Sequence, residues 1–206
     1  MAQHPRDYWQ GIYQTKSPAD VSWYQHRPDR SLQFIHATGI PLDAPIIDVG
    51  GGASTLVDHL LLAGFSDLTV LDIAPAGLAA AQARLGAAAG RVQWLAADVT
   101  RFQPERRYQL WHDRAVFHFL VAAEARAGYL TSLRLGLAPG GHLVLATFGP
   151  EGPTRCSGLP VQRYSLEQLN HLLGPTFHPI ESTVEEHRTP GGSRQQFFYG
   201  RWRADA

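Results

Sequence analysis

The sequence predicts an α/β protein with a doubly wound, mostly parallel sheet of seven strands that finishes in an antiparallel pair. Short apolar runs alternate with helical patterns from residue 44 to residue 148, and this alternation is typical of right-handed βαβ units around a parallel sheet. After residue 149 two extended runs flank the sequence TPGGS, which predicts a β-hairpin. Three glycines, Gly50 to Gly52, follow the first apolar run, where a strand of such a fold turns into its helix.

Each element follows from its own local pattern. Two helical patterns, RDYWQGIYQT and PDRSLQFIHAT, precede the first strand, and the aromatic segment VSWYQ separates them. The predicted strands are the apolar or extended runs at 45–49, 67–72, 91–98, 108–113, 142–148, 176–188 and 193–203. Helices are predicted after Ser54 or Thr55, which offer an N-cap, after Pro75, over residues 123–137 and after the N-cap Ser165.

The composition indicates one globular domain in a reducing compartment. The chain has 206 residues, and its 18 basic residues balance its 18 acidic ones, so it lacks the basic character expected of a nucleic-acid-binding domain. The single cysteine, Cys156, excludes an intramolecular disulfide. The N-terminus has no apolar signal region, and no apolar run reaches about 18 residues. We therefore expect a cytoplasmic protein with no nucleic-acid or membrane partner, and leave its oligomeric state open.

The glycine turn has three possible interpretations. A phosphate-binding P-loop requires a lysine after the glycines, and this chain has none there. A dinucleotide fingerprint fits Gly50 and Gly52, but Thr55 stands at its third glycine position. The third interpretation takes account of Asp48, because a carboxylate beside the turn repels a pyrophosphate and suits a cofactor that carries an ammonium group and hydroxyls.

Four motifs in order resemble those of the class I S-adenosylmethionine (SAM) dependent methyltransferases, which have a Rossmann-like fold. The resemblance implies that SAM is the cofactor and that Asp72, at the end of the second strand, binds its ribose hydroxyls. The Gly-Gly turn and strand LAPGGHLVLATF complete the pattern. The cofactor-binding residues implied by the resemblance and by the aromatic segment are Asp48, Gly50, Gly52, Ser54, Asp72, Ile73, Asp98, Val99, Trp23 and Tyr24.

The whole chain is also similar to a methyltransferase subgroup found in bacteria that includes the mitochondrial lysine methyltransferase of citrate synthase. This resemblance implies a small-molecule or protein side-chain acceptor, including a lysine amine. We expect three segments: an N-terminal helical lid (1–43), a SAM-binding core (44–148), and a substrate-side helix and hairpin (149–206). Trp23 and Tyr24, with Trp9 and Tyr13, are candidates to cover the cofactor, because a sulfonium cation is attracted to aromatic faces.

The catalytic candidates are Asp113, Arg114 and His118, which follow the fourth strand. Arg114 can hold an anionic acceptor or pair with Asp113, and Asp113 or His118 can serve as a base for an amine acceptor. His112 is expected to be structural. No metal site is expected, because the ten histidines show no ligand spacing.

Two other functions remain open from the sequence. A nicotinamide (NAD(P)) dependent oxidoreductase shares the glycines and Asp72, and a non-catalytic SAM-binding protein shares all four motifs. The Asp-Pro-Pro-aromatic motif of the amino-group nucleic-acid methyltransferases is replaced by Asp113-Arg114-Ala115-Val116, which argues against that chemistry.

Overall fold

A computed structural model describes residues 4–17 and 20–206 of the chain. Two helices precede the sheet, α1 (Pro5–Thr15) and α2 (Asp29–His36). Both match the helical patterns of the sequence. Pro18, expected at a helix border, lies outside the described residues.

A seven-stranded sheet forms the centre of the molecule, as the sequence predicts. Its parallel part consists of five strands and three connecting α-helices. The elements of this part are β1 (Ile46–Val49), α3 (Leu56–Leu62), β2 (Leu68–Asp72), α4 (Pro75–Leu85), β3 (Val92–Ala96), β4 (Tyr108–Arg114), α5 (Ala123–Gly136) and β5 (Leu137–Phe148). A two-stranded ribbon, β6 (Arg155–Cys156) and β7 (Leu159–Pro160), and helix α6 (Leu166–Leu173) then lead to the antiparallel hairpin β8 (Phe177–Arg188) and β9 (Arg194–Ala204).

The strand order is β3-β2-β1-β4-β5-β9-β8. β1 to β5 pair in parallel, whereas β9 pairs antiparallel with both β5 and β8. The doubly wound, mostly parallel fold with a C-terminal antiparallel pair is therefore confirmed. Because the chain order reverses beside β1, the crevice between β1 and β4 is where such sheets bind ligands.

Apolar side chains cover both faces of the sheet and form two cores. One core contains α2 and α3 side chains such as Phe34, Ile35 and Leu60, and the other contains α5 and α6 side chains such as Leu133 and Leu169. Strands buried on both faces read as near-continuous apolar runs, which is why they are visible in the sequence.

The ends of several elements differ from the sequence expectation. Thr55 stands at the N-cap of α3, but its hydroxyl donates to the Gln25 carbonyl instead of capping the helix. Ser165 forms the expected cap, and Gln168 completes a capping box with it. β5 begins at Leu137, five residues before the expected start, because Leu137 already pairs with Tyr108 on β4. Among the described residues, no helix is long and apolar enough to span a membrane.

Candidate active site

A cavity of about 540 Å³ opens at the carboxyl ends of the parallel strands. This size lies in the range of small-molecule sites. One end of the cavity, which we call the cofactor half, is lined by residues at the ends of β1, β2 and β3: Gly50, Asp72, Ile73, Asp98 and Val99. The other end, which we call the acceptor half, is lined mainly by Trp9, Trp23, Arg114, Phe119, Cys156 and Phe197.

The glycine turn brings bare backbone to the cofactor half. Gly50 has φ +70° and Gly52 has φ +37°, a region that side chains other than glycine rarely adopt. A Cβ on Gly50 would collide with the Val116 side chain, and one on Gly52 would lie 2.7 Å from the Asp72 carboxylate. The turn therefore requires glycine at both positions for backbone conformation and for space.

Asp72 ends β2 and faces the cavity with a desolvated carboxylate. Its Oδ1 accepts a hydrogen bond from the Ala74 amide at 2.8 Å. Burial, with the nearby charge of Asp48, raises the pKa of Asp72 to about 7 against the opposing backbone hydrogen bonds. A carboxylate in this state gains from hydroxyl donors, such as those of a ribose, that stabilise its charged form.

The next strand contributes an acid and an apolar residue to the same half. Asp98 follows β3, and its Oδ1 accepts from the Thr100 amide at 2.9 Å and from the Thr100 hydroxyl at 2.7 Å. These bonds fix the turn after β3. Ile73 and Val99 lie on the cavity wall, where they provide apolar surface for a flat ring.

Asp48 belongs to a buried chain of three polar side chains. Its Oδ1 lies 2.7 Å from Nδ1 of His112, and Nε2 of His112 lies 2.9 Å from the Ser31 hydroxyl. All three residues are less than 5% exposed. The chain connects helix α2 to the end of β1, and fixes the orientation of the Asp48 carboxylate. His112, expected to be structural, holds a predicted site residue in place.

A second, smaller cavity of about 40 Å³ lies beside Asp48. Its wall contains Ser54 and Tyr24 of the predicted cofactor residues. It shares Gly50, Trp23 and Arg114 with the large cavity, so the two lie on either side of these residues.

The N-terminal aromatics Trp9, Tyr13 and Trp23 line the large cavity. Trp9 lies edge-on to Trp23 with ring centroids 5.6 Å apart, and edge-on to Phe119 at 4.9 Å. Tyr13 reaches furthest in, since a Cβ on Gly52 would lie 2.5 Å from its hydroxyl oxygen. Burial raises the pKa of Tyr13 well above its ordinary value. Trp9 and Tyr13 stand four residues apart on α1, a spacing that places both side chains on one face of the helix.

Helix α1 is also tied to neighbouring elements by polar contacts that the sequence did not reveal. Oε1 of Gln10 accepts from the Ala76 amide, in the first turn of α4, at 3.0 Å. The Tyr8 hydroxyl donates to the Ser157 carbonyl, next to Cys156. A long-range cap of this kind leaves no local sequence pattern.

Arg114, at the end of β4, is the one predicted catalytic residue that lines both cavities. Its Nε donates to the Tyr199 hydroxyl at 3.0 Å and its Nη1 to the Trp23 carbonyl at 2.9 Å. The guanidinium lies 4.9 Å from the centroid of the Phe197 ring. Its Nη2 is buried and has no partner among the described residues. No ion pair with Asp113 is formed.

Asp113 and His118 line neither cavity. The Asp113 carboxylate accepts from the amides of Val116 at 2.9 Å and Phe117 at 3.2 Å, so it caps the turn after β4. Burial raises the pKa of Asp113 to about 7. Nδ1 of His118 accepts from the Phe148 amide at 3.1 Å, and burial lowers the pKa of His118 to about 3. Both side chains support the segment that carries Arg114.

The cofactor half fits S-adenosylmethionine. Glycine backbone, a buried carboxylate at the end of β2 and apolar walls at Ile73 and Val99 suit a ribose and an adenine. Asp48, held by His112, lines the adjacent smaller cavity, and its carboxylate there suits the ammonium of the amino-acid end. The aromatic wall of Trp9, Tyr13 and Trp23 suits a sulfonium.

Comparison with known proteins agrees with this geometry. A family model described as a methyltransferase domain matches residues 47–143. The malonyl-[acyl-carrier protein] O-methyltransferase 1 of Ilyobacter polytropus is 29% identical over 127 residues, which are 61% of this chain and 45% of that protein. The mouse EEF1A lysine methyltransferase 2 is 24% identical over 81 residues, 35% of this chain and 33% of that protein. The chain thus spans less than half the length of these relatives.

The fold is shared along the whole chain. The N-methyltransferase NodS of Bradyrhizobium japonicum, in complex with S-adenosylhomocysteine, superposes with a TM-score of 0.72 at 16% identity and covers 98% of each chain. SAM is the cofactor of this fold. Residues 47–143 therefore match the model of a methyltransferase domain, and the protein has the fold of the SAM-dependent methyltransferases.

Proposed function

We propose that the protein is a SAM-dependent methyltransferase that transfers a methyl group to a small molecule or a protein side chain bound beside Arg114. The observation that carries the proposal is the desolvated Asp72 carboxylate at the end of β2, next to a glycine turn that admits no side chain. In this proposal residues 1–43 are the lid, 44–148 the cofactor-binding core and 149–206 the substrate side. Membership of the citrate synthase lysine methyltransferase subgroup remains a prediction.

The side chains of this protein bind the cofactor, orient the acceptor and exclude water from the cavity. When bound, SAM supplies a methyl group already activated by a sulfonium, so the protein needs no strong acid or nucleophile of its own. Asp72 and the glycine turn hold the ribose side, and Asp48 holds the ammonium. Trp9, Tyr13 and Trp23 close the cavity to solvent, and Arg114 orients the acceptor. Asp113 and His118 keep the segment after β4 in place.

An oxidoreductase that binds NAD also needs the glycines and Asp72, but Asp48 argues against it. A dinucleotide places its pyrophosphate at the glycine turn, where the Asp48 carboxylate would repel it. A non-catalytic SAM-binding protein would use the same cofactor half, but would not need the acceptor half.

The test is calorimetry with SAM and NAD side by side, on the native protein and on Asp72→Ala. We expect SAM to bind and NAD not to bind. Asp72→Ala should weaken SAM binding by about 10- to 100-fold, because ribose hydroxyls lose a charged acceptor. Asp43→Ala, an exposed acid outside the cavities, is the matched control and should bind as the native protein does.

Transfer itself is tested with radiolabelled SAM and cell-lysate fractions. Label in a small molecule or in a protein supports the enzyme and shows which acceptor class is used. Tight SAM binding without transfer to any fraction would support the non-catalytic alternative. Unchanged SAM affinity in a folded Asp72→Ala protein would refute the assigned cofactor site.

A further inference from the structure

We propose that the acceptor is a small aromatic acid whose anionic group is bound by the Arg114 guanidinium, and not a lysine side chain. The inference rests on the proposed function and narrows its acceptor. It follows from the charges, the free hydrogen-bonding group and the ring surfaces of the acceptor half.

The charges of the cavity favour an anion over a cation in the acceptor half. Among the described residues that line the large cavity, the ionisable acids are Asp72 and Asp98, both in the cofactor half, and the one strong base is Arg114. A lysine ammonium that enters this cavity would meet Arg114 and no carboxylate of its own. Burying a charge without an opposite partner is costly, so the acceptor half disfavours an ammonium.

Arg114 is held in place with one guanidinium nitrogen, Nη2, left without a partner among the described residues. Tyr199 and the Trp23 carbonyl take its Nε and Nη1, and the Phe197 ring supports the guanidinium face. Its Nη2 is buried without a partner among the described residues. An unpaired donor on a buried cation is costly, and a carboxylate or phenolate oxygen forms a strong charge-assisted bond to it.

Aromatic side chains line the same half of the cavity as Arg114. Trp9, Trp23, Phe119 and Phe197 line the acceptor half, and their ring contacts include edge-on pairs at 4.9 Å and 5.6 Å. Rings in such arrangements favour offset or edge-on contact with a further ring. The space beside Arg114 therefore suits a flat apolar molecule with one anionic group.

The first measurement compares two probes that share a ring and a spacer and differ in charge, phenylacetate and benzylamine. Each is titrated into the native protein saturated with S-adenosylhomocysteine, and tryptophan fluorescence and calorimetry report binding. We expect phenylacetate to bind at least about ten-fold more tightly, which corresponds to one charge-assisted contact. Equal affinity, or tighter binding of benzylamine or of Nα-acetyl-lysine amide, would overturn the proposal.

The second measurement uses Arg114→Met, with Arg91→Met as the control because Arg91 is exposed and outside both cavities. We expect Arg114→Met to weaken the binding of phenylacetate by about 10-fold or more, and Arg91→Met to leave this affinity unchanged. Binding of 5′-methylthioadenosine, which lacks the amino-acid end of the cofactor, reports whether Arg114→Met is folded.

Arg114→Met also shows whether Arg114 binds the carboxylate of the acceptor or the carboxylate of the cofactor. If Arg114→Met weakens the binding of S-adenosylhomocysteine but leaves the affinity for phenylacetate unchanged, Arg114 binds the cofactor and the inference is wrong. A native protein that binds no S-adenosylhomocysteine at all contradicts the proposed function instead. The two failures are therefore distinguishable.

Discussion

At the residue scale, Asp72 and Asp113 are two buried carboxylates that have different roles. Burial raises the pKa of each to about 7. Both carboxylate oxygens of Asp113 accept hydrogen bonds from backbone amides of the turn after β4, whereas Asp72 lines the cavity. The sequence predicted both residues at strand ends. The structure shows that the Asp113 carboxylate already accepts hydrogen bonds from two backbone amides.

The raised pKa of Asp72 predicts a pH-dependent cofactor affinity. In the proposed complex ribose hydroxyls donate to the ionised Asp72 carboxylate, so S-adenosylhomocysteine should bind more weakly as pH falls below about 7, by up to about ten-fold per unit. The affinity should level off above pH 8. Asp72→Asn should bind weakly, with a flatter pH profile in calorimetry. Parallel profiles for the two proteins would exclude Asp72 as the titrating group.

The same shift affects stability in the opposite direction. The ordinary pKa of an aspartate is 3.8 and the folded value of Asp72 is about 7, so the folded protein holds this proton more tightly than the unfolded chain does. The Asp72 contribution therefore stabilises the fold below pH 4 and is lost as pH rises towards 7. Urea unfolding of Asp72→Asn should lack this part of the pH dependence.

His112→Asn tests the chain of Ser31, His112 and Asp48. Two buried partners lose their hydrogen bond, so the free energy of unfolding should fall by about 1–3 kcal/mol. Affinity for S-adenosylhomocysteine should fall more than that for 5′-methylthioadenosine, since Asp48 is the residue proposed to bind the amino-acid end. His178→Asn is the control, because His178 pairs with Asp205 at an exposed site. An equal loss for both ligands would show that His112 supports the fold alone.

At the scale of elements, α1 is the part of the chain most directly coupled to the cavity. Tyr13 reaches the glycine turn, and Gln10 caps α4. The side chains of α1, Tyr13 included, are at most partly buried, so fewer apolar contacts stabilise α1 than stabilise the sheet. Elements with little buried apolar surface open at low free-energy cost.

We therefore expect cofactor binding to slow amide hydrogen exchange over residues 8–17 and 20–30. Without ligand, these amides should exchange faster than those of β1 and β4. Helix α6, which lines neither cavity, provides the internal control and should change little. Exchange over α1 that is already as slow as in the sheet would show that this helix is a fixed part of the fold.

Local patterns identified most elements because their causes are local. The capping box of Ser165 and Gln168 and the proline at the start of α4 act within one turn. The start of β5 at Leu137 could not be predicted in this way, because pairing with β4 extends the strand through Pro139 and Gly140. The missing cap of Thr55 has a similar cause, since a partner 30 residues away takes its hydroxyl.

For the whole molecule, the two cores lie on opposite faces of one sheet. Strand order and the packing of α1 across the cavity depend on long-range contacts, so the sequence predicted the class of the sheet and the strand-end residues but not the position of Arg114 against Tyr199 and Phe197. Both cores should nevertheless unfold together, because every strand of the sheet contributes to one or both of them.

Leu60→Ala and Leu133→Ala test this in the two cores. Each side chain is at most 1% exposed, so each variant should lose about 2–5 kcal/mol of unfolding free energy. The double variant should equal the sum within about 0.5 kcal/mol, because the sites share no partner. Urea unfolding followed by circular dichroism and by tryptophan fluorescence should give one coincident transition. Two separated transitions would show that the faces unfold independently.

The rate at which Cys156 is alkylated reports how often the cavity opens. It is the chain's single cysteine, it lines the acceptor half at 5% exposure, and burial raises the pKa of its thiol. Since only the thiolate reacts quickly, an alkylating reagent such as iodoacetamide should label the closed protein slowly. Each adduct adds one fixed mass, and no second thiol complicates the spectrum. Labelling rates with and without ligand can therefore be read by mass spectrometry on the unaltered chain.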